Sequence, residues 1–198
     1  DVHVGEGDYD TTEKAIRSLL AEAGHVVGPA GANAGPVGLQ QHTAELYAAS
    51  DRGFDIPAPQ ANQAFDYKNP VPTTAGHLLN NQIYFNGQWN IGTEYAEHSG
   101  AAPSGQDYVA IDYQAKDVVM VAANAGPAVR VDVTLDGKDI PRSDAGGDVR
   151  YDQAGHSYIQ VDRSDLFSIL RHPDFQEHVL KLSPEAAGFR LFTFDFNG

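Results

Sequence analysis

Two hydrophobic periods divide the chain. Between residues 10 and 24, Ile16, Leu19, Leu20 and Ala23 recur three and four positions apart, which puts apolar side chains on one face of a helix. Asp10, with Glu13 three residues later, makes a capping-box-like start, and Gly24 supplies the stop. From Ile83 the period changes to two. Ile83, Phe85, Trp89 and Ile91 alternate with Tyr84, Asn86, Gln88 and Asn90. Val109, Ile111 and Tyr113 alternate in the same way, and "DVVMVAAN" is the continuous apolar run of a central strand. Val129, Val131, Val133 and Leu135 run up to Asp136-Gly137, a dipeptide suited to a two-residue hairpin turn. "SYIQV", "LFSIL", "HVLKL" and "FRLFTFDF" are further β-type runs, although "SDLFSIL" also suits a helical turn. About eight short strands divided by turns predict a mostly β protein, a β-sandwich or jelly roll, with one N-terminal α-helix.

The remaining stretches are read by composition. Val2, His3 and Val4 form a short β-prone start, and residues 5–9 a flexible acidic loop. Residues 25–42 are rich in Gly, Ala and Pro and nearly uncharged, the composition of a linker. From residue 43 aromatic side chains (Tyr47, Phe54, Phe65, Tyr67) are scattered among prolines, which predicts an extended arm with a turn of helix at 43–49. The expected division is therefore residues 1–24, the helix and what precedes it; 25–71, linker and arm; and 72–198, the sandwich. An isolated helix of this length is marginal in water, so its apolar face needs a partner surface.

Charge removes whole classes of function. The 198 residues carry 27 acidic and 13 basic side chains, a net charge of -14. Neutralising nucleic-acid phosphates or anionic lipid needs the opposite sign, so neither partner is expected. There is no cysteine, so disulfide exchange and thiolate-bound metal are excluded within this chain. No apolar run approaches the ~18 residues of a membrane span. The chain starts at Asp1 with neither Met nor a signal peptide, and reads as a piece of something longer.

The candidate chemistry is that of binding rather than catalysis. Trp89, the one tryptophan, shares its strand face with Ile83, Phe85 and Ile91 and is expected in the core. On the other face Tyr84, Asn86, Gln88 and Asn90 combine an aromatic ring with side-chain amides. The ring can stack on the C–H face of a sugar while amides meet its hydroxyls as donor and acceptor. These four are the ligand-binding candidates; an ordinary solvated strand face explains them as well. Asp144 and Asp148 in a Gly-rich loop are candidates for calcium, as are Asp136 and Asp139 about another turn, but EF-hand spacing is missing and turn-forming aspartates suffice. Glu94 and His98, and His172, Glu177 and His178, lie close in sequence without converging as a zinc site requires, so the eight histidines are read as surface positions. No nucleophile elbow, phosphate-binding loop or dinucleotide fingerprint is present, and no catalytic set or cofactor is expected.

Specific stretches carry a resemblance. "HVGEGDYDTTEKAIRSLLAEAG" resembles the end of the thioredoxin-like domain of DipZ-type proteins, membrane-tethered bacterial thiol-disulfide oxidoreductases related to cytochrome c biogenesis proteins. Gly87 and Trp89 in "FNGQWNIGTEYAE", Ala115-Lys116-Asp117-Val118, Leu135-Asp136-Gly137 and the closing Phe192-Thr193-Phe194 are similar to that family's C-terminal domain, a sandwich resembling carbohydrate-binding modules. The resemblance implies that residues 1–24 are the last strand and helix of a thioredoxin-like domain whose redox cysteines lie elsewhere. It implies a non-catalytic accessory module in the periplasm or another extracytoplasmic space, binding carbohydrate or another cell-envelope ligand. The alternative is a structural domain that docks on its own thioredoxin-like domain or on a partner protein without binding sugar.

Overall fold

A computed structural model describes residues 9–24, 42–52, 56, 62–68, 78–100 and 106–198. The β-prone start expected at Val2 to Val4, most of the expected acidic loop and nearly all of the expected linker at 25–42 lie outside the described residues. The chain divides into two compact units, Asp1–Leu39 and Gln40–Gly198.

In the first unit the helix α1 spans Tyr9–Glu22, starting one residue ahead of the expected cap. It ends as anticipated. Ala23 and Gly24 donate back to the carbonyls of Leu19 and Ala21, and Gly24 adopts φ +80°, the left-handed conformation that glycine takes without steric cost. Leu19 and Leu20 on its apolar stripe are 64% and 41% exposed.

The second unit is the mostly β sandwich that the alternation predicts, built among the described residues as one antiparallel system of eleven strands. In chain order these are β1 (Leu46–Tyr47), β2 (Ala64–Lys68), β3 (Ile83–Ile91), β4 (Ala96–His98), β5 (Tyr108–Asn124), β6 (Val129–Leu135), β7 (Lys138–Asp139), β8 (Val149–Tyr151), β9 (Ser157–Val161), β10 (Asp165–Pro184) and β11 (Phe189–Asn197). The central pair is β5 and β10, 17 and 20 residues long. β10 follows β5 along its length, while the other edge of β5 is shared: its first residues pair with β3 and its last with β11. β4 joins β3 to β11, so these strands close back on β5. On the far edge of β10 come β6, β9 and β8.

Inward positions of nearly every strand feed a single core. Phe85, Trp89, Tyr113, Phe167, Phe189, Phe194 and Phe196 are its largest members. At roughly 1.5–3 kcal/mol per fully buried large apolar side chain, this core is the main stabilising term.

Two local expectations change, and one alternative is decided. Residues 43–49 are not a helical turn: Leu46 and Tyr47 pair with Phe194 and Thr193 of β11, and Leu46 is fully buried. An open sheet edge with an apolar slot outweighs weak helix propensity. "LFSIL" and "HVLKL" belong to one strand, β10, whose register jumps between Arg171 and Gln176, so that residues 172–175 form a bulge with His172 turned inward. The "SDLFSIL" stretch is accordingly strand, not helix.

Candidate functional site

Two interruptions in regular pairing shape a groove. The first is in β11, where the register against β5 slips between Leu191 and Thr193 and makes Phe192 an extra residue. Phe192 thereby leaves the core phase of its strand and lies half-buried at the surface. The second is the chain after β1, held by hydrogen bonds from Ala48 N–H to the Phe192 carbonyl and from Ser50 N–H to the Gly92 carbonyl, 2.8 Å each. Gly92 N–H in turn bonds the Tyr95 carbonyl, closing the β3–β4 turn.

Between them lies a groove of about 470 Å3 lined by Tyr47, Ala49, Asp51, Arg52, Thr93, Glu94, Phe192 and Thr193. That is within the volume range of ligand clefts.

Its aromatic walls are braced. The Arg52 guanidinium lies 4.4 Å from the centre of the Tyr47 ring, and Tyr95 packs on Phe192 with centroids 5.3 Å apart. Arg190 lies 4.7 Å over Tyr95 and is fixed by a 2.6 Å bond from its Nε to Glu97. Tyr47 donates its hydroxyl to Glu45 Oε2 at 2.5 Å, and this bond pushes its phenol above the ordinary value. Thr193 directs its hydroxyl between Glu45 and the Leu46 carbonyl. The groove thus offers two aromatic surfaces, hydroxyls and planar charged groups.

The four residues anticipated from the alternation share one face of β3, opposite the buried Ile83, Phe85, Trp89 and Ile91. Register places Tyr84 beside Ala110 and Asn86 between Lys68 and Tyr108. Lys181 lies beside Ala110 and over the Tyr108 ring at 4.3 Å. The polar groups of the first two are engaged locally. Tyr84 donates to Gln82 Oε1 and accepts from Leu79 N–H, and Asn86 Nδ2 donates to the Gln106 carbonyl. Gln88 is exposed, and Asn90 Oδ1 is buried without a partner among the described residues. Trp89 sits in the core, its indole N–H bonded to the Asn86 carbonyl at 2.9 Å.

Asp144 and Asp148 are tied to β10. Asp148 Oδ2 accepts from Ser168 N–H at 2.8 Å, and the Asp144 carbonyl from Arg171 N–H. Gly146 lies between them because a Cβ there would stand 2.3 Å from the Ser168 carbonyl oxygen. Among the described residues no three His, Asp or Glu side chains are grouped to hold a metal.

The surface reading of the histidines is corrected at two positions. His98 is fully buried, held at 2.9 Å by both the Ala186 carbonyl and Asp107. His172 is 3% exposed, 2.8 Å from the Tyr113 hydroxyl and stacked on His178 with centroids 5.0 Å apart. Partners make these burials tolerable, the loop residues Asp107 and Ala186 for His98 and Tyr113 of β5 for His172, and a run of residues around each histidine does not reveal them.

The groove residues Tyr47, Arg52 and Phe192 were not anticipated. One signal was present in "GFRLFTFDF", where Leu191 and Phe192 are adjacent apolar residues: the alternation changes phase there, as a bulge requires.

No curated protein matches the chain. The family model for the thioredoxin-like C-terminal domain matches residues 43–197, well over half of the sequence and nearly all of the β unit, and the chain belongs to that family.

Proposed function

We propose that this chain is a non-catalytic accessory module of a DipZ-type, extracytoplasmic thiol-disulfide oxidoreductase, and that it binds carbohydrate. Membership of a family of thioredoxin-like C-terminal domains supports the accessory part, as does a sequence with no cysteine to exchange. The observation that carries the ligand class is the groove, where Tyr47 and Phe192 present aromatic surface beside the hydroxyls of Thr93 and Thr193 and the planar polar groups of Asp51, Arg52 and Glu94. Sugars are bound by that combination: ring C–H faces against aromatic rings, and vicinal hydroxyls against carboxylate and guanidinium. The same groove fits the resemblance to carbohydrate-binding modules, while fold alone is a weak warrant for a ligand.

A glycan array probed with the whole chain tests this. Binding is expected, and Phe192→Ala or Tyr47→Ala should weaken it at least about tenfold while the far-ultraviolet spectrum is kept. Loss of binding in a Tyr84→Ala, Asn86→Ala variant instead would move the ligand to the outer face of β3. A chain that binds no glycan would sink the carbohydrate reading and leave docking on a protein partner.

A further inference from the structure

Strand β10 interrupts its ladder around a buried polar group. Among the described residues, 172–175 have no register partner on β5. Pro173 has no backbone N–H to lose there. The His172 side chain is wholly buried, and its Nε2 bonds the Tyr113 hydroxyl at 2.8 Å. Its other nitrogen, Nδ1, is buried without a hydrogen-bond partner among the described residues. The Asp144 carboxylate stands 3.8 Å from it, beyond hydrogen-bond reach. The His172 ring stacks on His178 with centroids 5.0 Å apart, and Tyr113 stacks on Phe196 of β11 at 5.9 Å.

Charged groups face this stack from several elements. β5 brings Asp112 and Asp117, and the loop before β8 brings Asp144. The turn after β6 brings Asp136, which holds His178 Nδ1 at 2.7 Å. On β10 itself Arg171 lies 3.8 Å from Asp117, and the exposed Asp174 and Glu177 lie between the two histidines in sequence. An uncharged His172 suits this place. A charged one carries an N–H on both nitrogens, and its Nδ1–H would stand buried and unpaired next to the like charge of His178. Burial first, and then His178, hold its pKa below the ordinary 6.5, against the pull of Asp144, Asp117 and Asp136.

We infer that the β10 bulge is an acid-triggered latch: when His172 becomes doubly protonated its ring leaves Tyr113 and His178, and residues 172–175 open to solvent while the ladder on either side holds. The opening uncovers Tyr113 and Phe196. It stays local because pairing with β5 resumes at Gln176 and is intact at Arg171, whose N–H also bonds the Asp144 carbonyl at 2.8 Å.

Amide hydrogen exchange of the whole chain, at about pH 7 and about pH 5 and referenced to the intrinsic rate at each, tests this. Protection of residues 171–176 and of the facing 115–117 should fall about fivefold at the lower pH, the factor that one hydrogen bond of ordinary net strength represents. β3 and β6 should keep theirs. In His172→Gln, which has no ring to charge, the two profiles should coincide. Asp144→Asn removes a carboxylate that favours the charged ring but keeps the backbone carbonyl that accepts from Arg171. It should therefore deepen the loss at the lower pH and leave the higher one unchanged. Loss spread evenly over the β unit, no loss at all, or a loss that persists in His172→Gln would overturn the inference. So would an Asp144→Asn effect that is shallower at low pH or equal at both. Should His172→Gln fail to fold, the parent and Asp144→Asn profiles decide.

Discussion

Asp107 and the glycines around it show how single residues set this fold. Its carboxylate bonds buried His98 and the backbone N–H of Gln88, and it occupies the space that two side chains would need. A Cβ on Gly100 would stand 2.3 Å from Asp107 Oδ2, and one on Gly87 2.0 Å from Oδ1. Gly100→Ala is expected to cost about 1–3 kcal/mol, as overpacking does. Gly87→Ala should cost more, because its φ of +87° adds backbone strain. Urea unfolding followed by Trp89 fluorescence measures both, and an unchanged midpoint in Gly100→Ala would show that Asp107 swings aside freely. His172 is a second sensitive residue. Burial, and then the like charge of His178, hold its pKa below the ordinary 6.5, against the opposing pull of Asp144, Asp117 and Asp136. The unfolded chain thus binds the proton more readily, so stability should rise with pH up to about 6.5 and be lost as pH falls through the lower folded value. Asp152 and Asp165, held below the ordinary 3.8 mainly by hydrogen bonds from His156 N–H and from Arg163, lose their contribution only in more acid solution. Thermal melts between about pH 5 and 6.5 should rise in the parent chain and flatten in His172→Gln. Parallel curves would remove His172 as the cause.

Among the elements, the turn at Asp136-Gly137 that ends β6 was the most legible in advance. Asp136 and Gly137 both have positive φ, +50° and +74°, as a turn of the primed type I requires. Beyond the turn itself, Asp136 accepts from Val179 N–H at 2.9 Å and pairs with His178 Nδ1 at 2.7 Å, tying the hairpin to β10. Asp136→Ala should therefore lose about 1–3 kcal/mol, from the uncovered N–H and from a left-handed backbone that alanine resists. Asp136→Asn, which tolerates that backbone and keeps an acceptor, should lose less; denaturant midpoints of the two decide, and equal losses would assign the effect to charge. Strands β3, β6 and β9 were equally readable because one face is buried and the other wet, as the spacing of Val129, Val131 and Val133 shows. The short strands β1, β4, β7 and β8 were not, since two or three residues carry no period. The groove shares that illegibility: Tyr47, Glu94 and Phe192 meet only because β1, the β3–β4 turn and the β11 bulge are assembled by long-range pairing. Tyr84, Asn86, Gln88 and Asn90 do share a face, but the pattern could not show that Tyr84 and Asn86 spend their polar groups on Gln82, Leu79 and Gln106.

At the scale of the β unit, the long pair β5–β10 governs cooperativity. β3 and β11 both rest on β5, while β6 and, through it, β9 and β8 rest on β10. Neither side can be stripped away without exposing a flank of the central pair, whose inward residues Val109, Ile111, Val118, Met120, Leu180 and Leu182 belong to the common core. Residues 40–198 should then unfold as one unit, although a sandwich with an edge sheet on either side of a hinge-like pair could open in halves. The single tryptophan makes the two cases distinguishable. Trp89 is fully buried on β3 and reports the β3–β4–β11 side, whereas far-ultraviolet circular dichroism reports strands throughout. Coincident urea transitions by the two probes are expected, as two-state unfolding demands. If Trp89 were released before the strand signal fell, the central pair would not couple the two sides, and the groove, built from β1, the β3–β4 turn and β11, would belong to the less stable half. Ligand added in excess supplies the converse reading: a molecule bound in the groove should raise both transitions together when the unit is cooperative, and only the Trp89 transition when it is not.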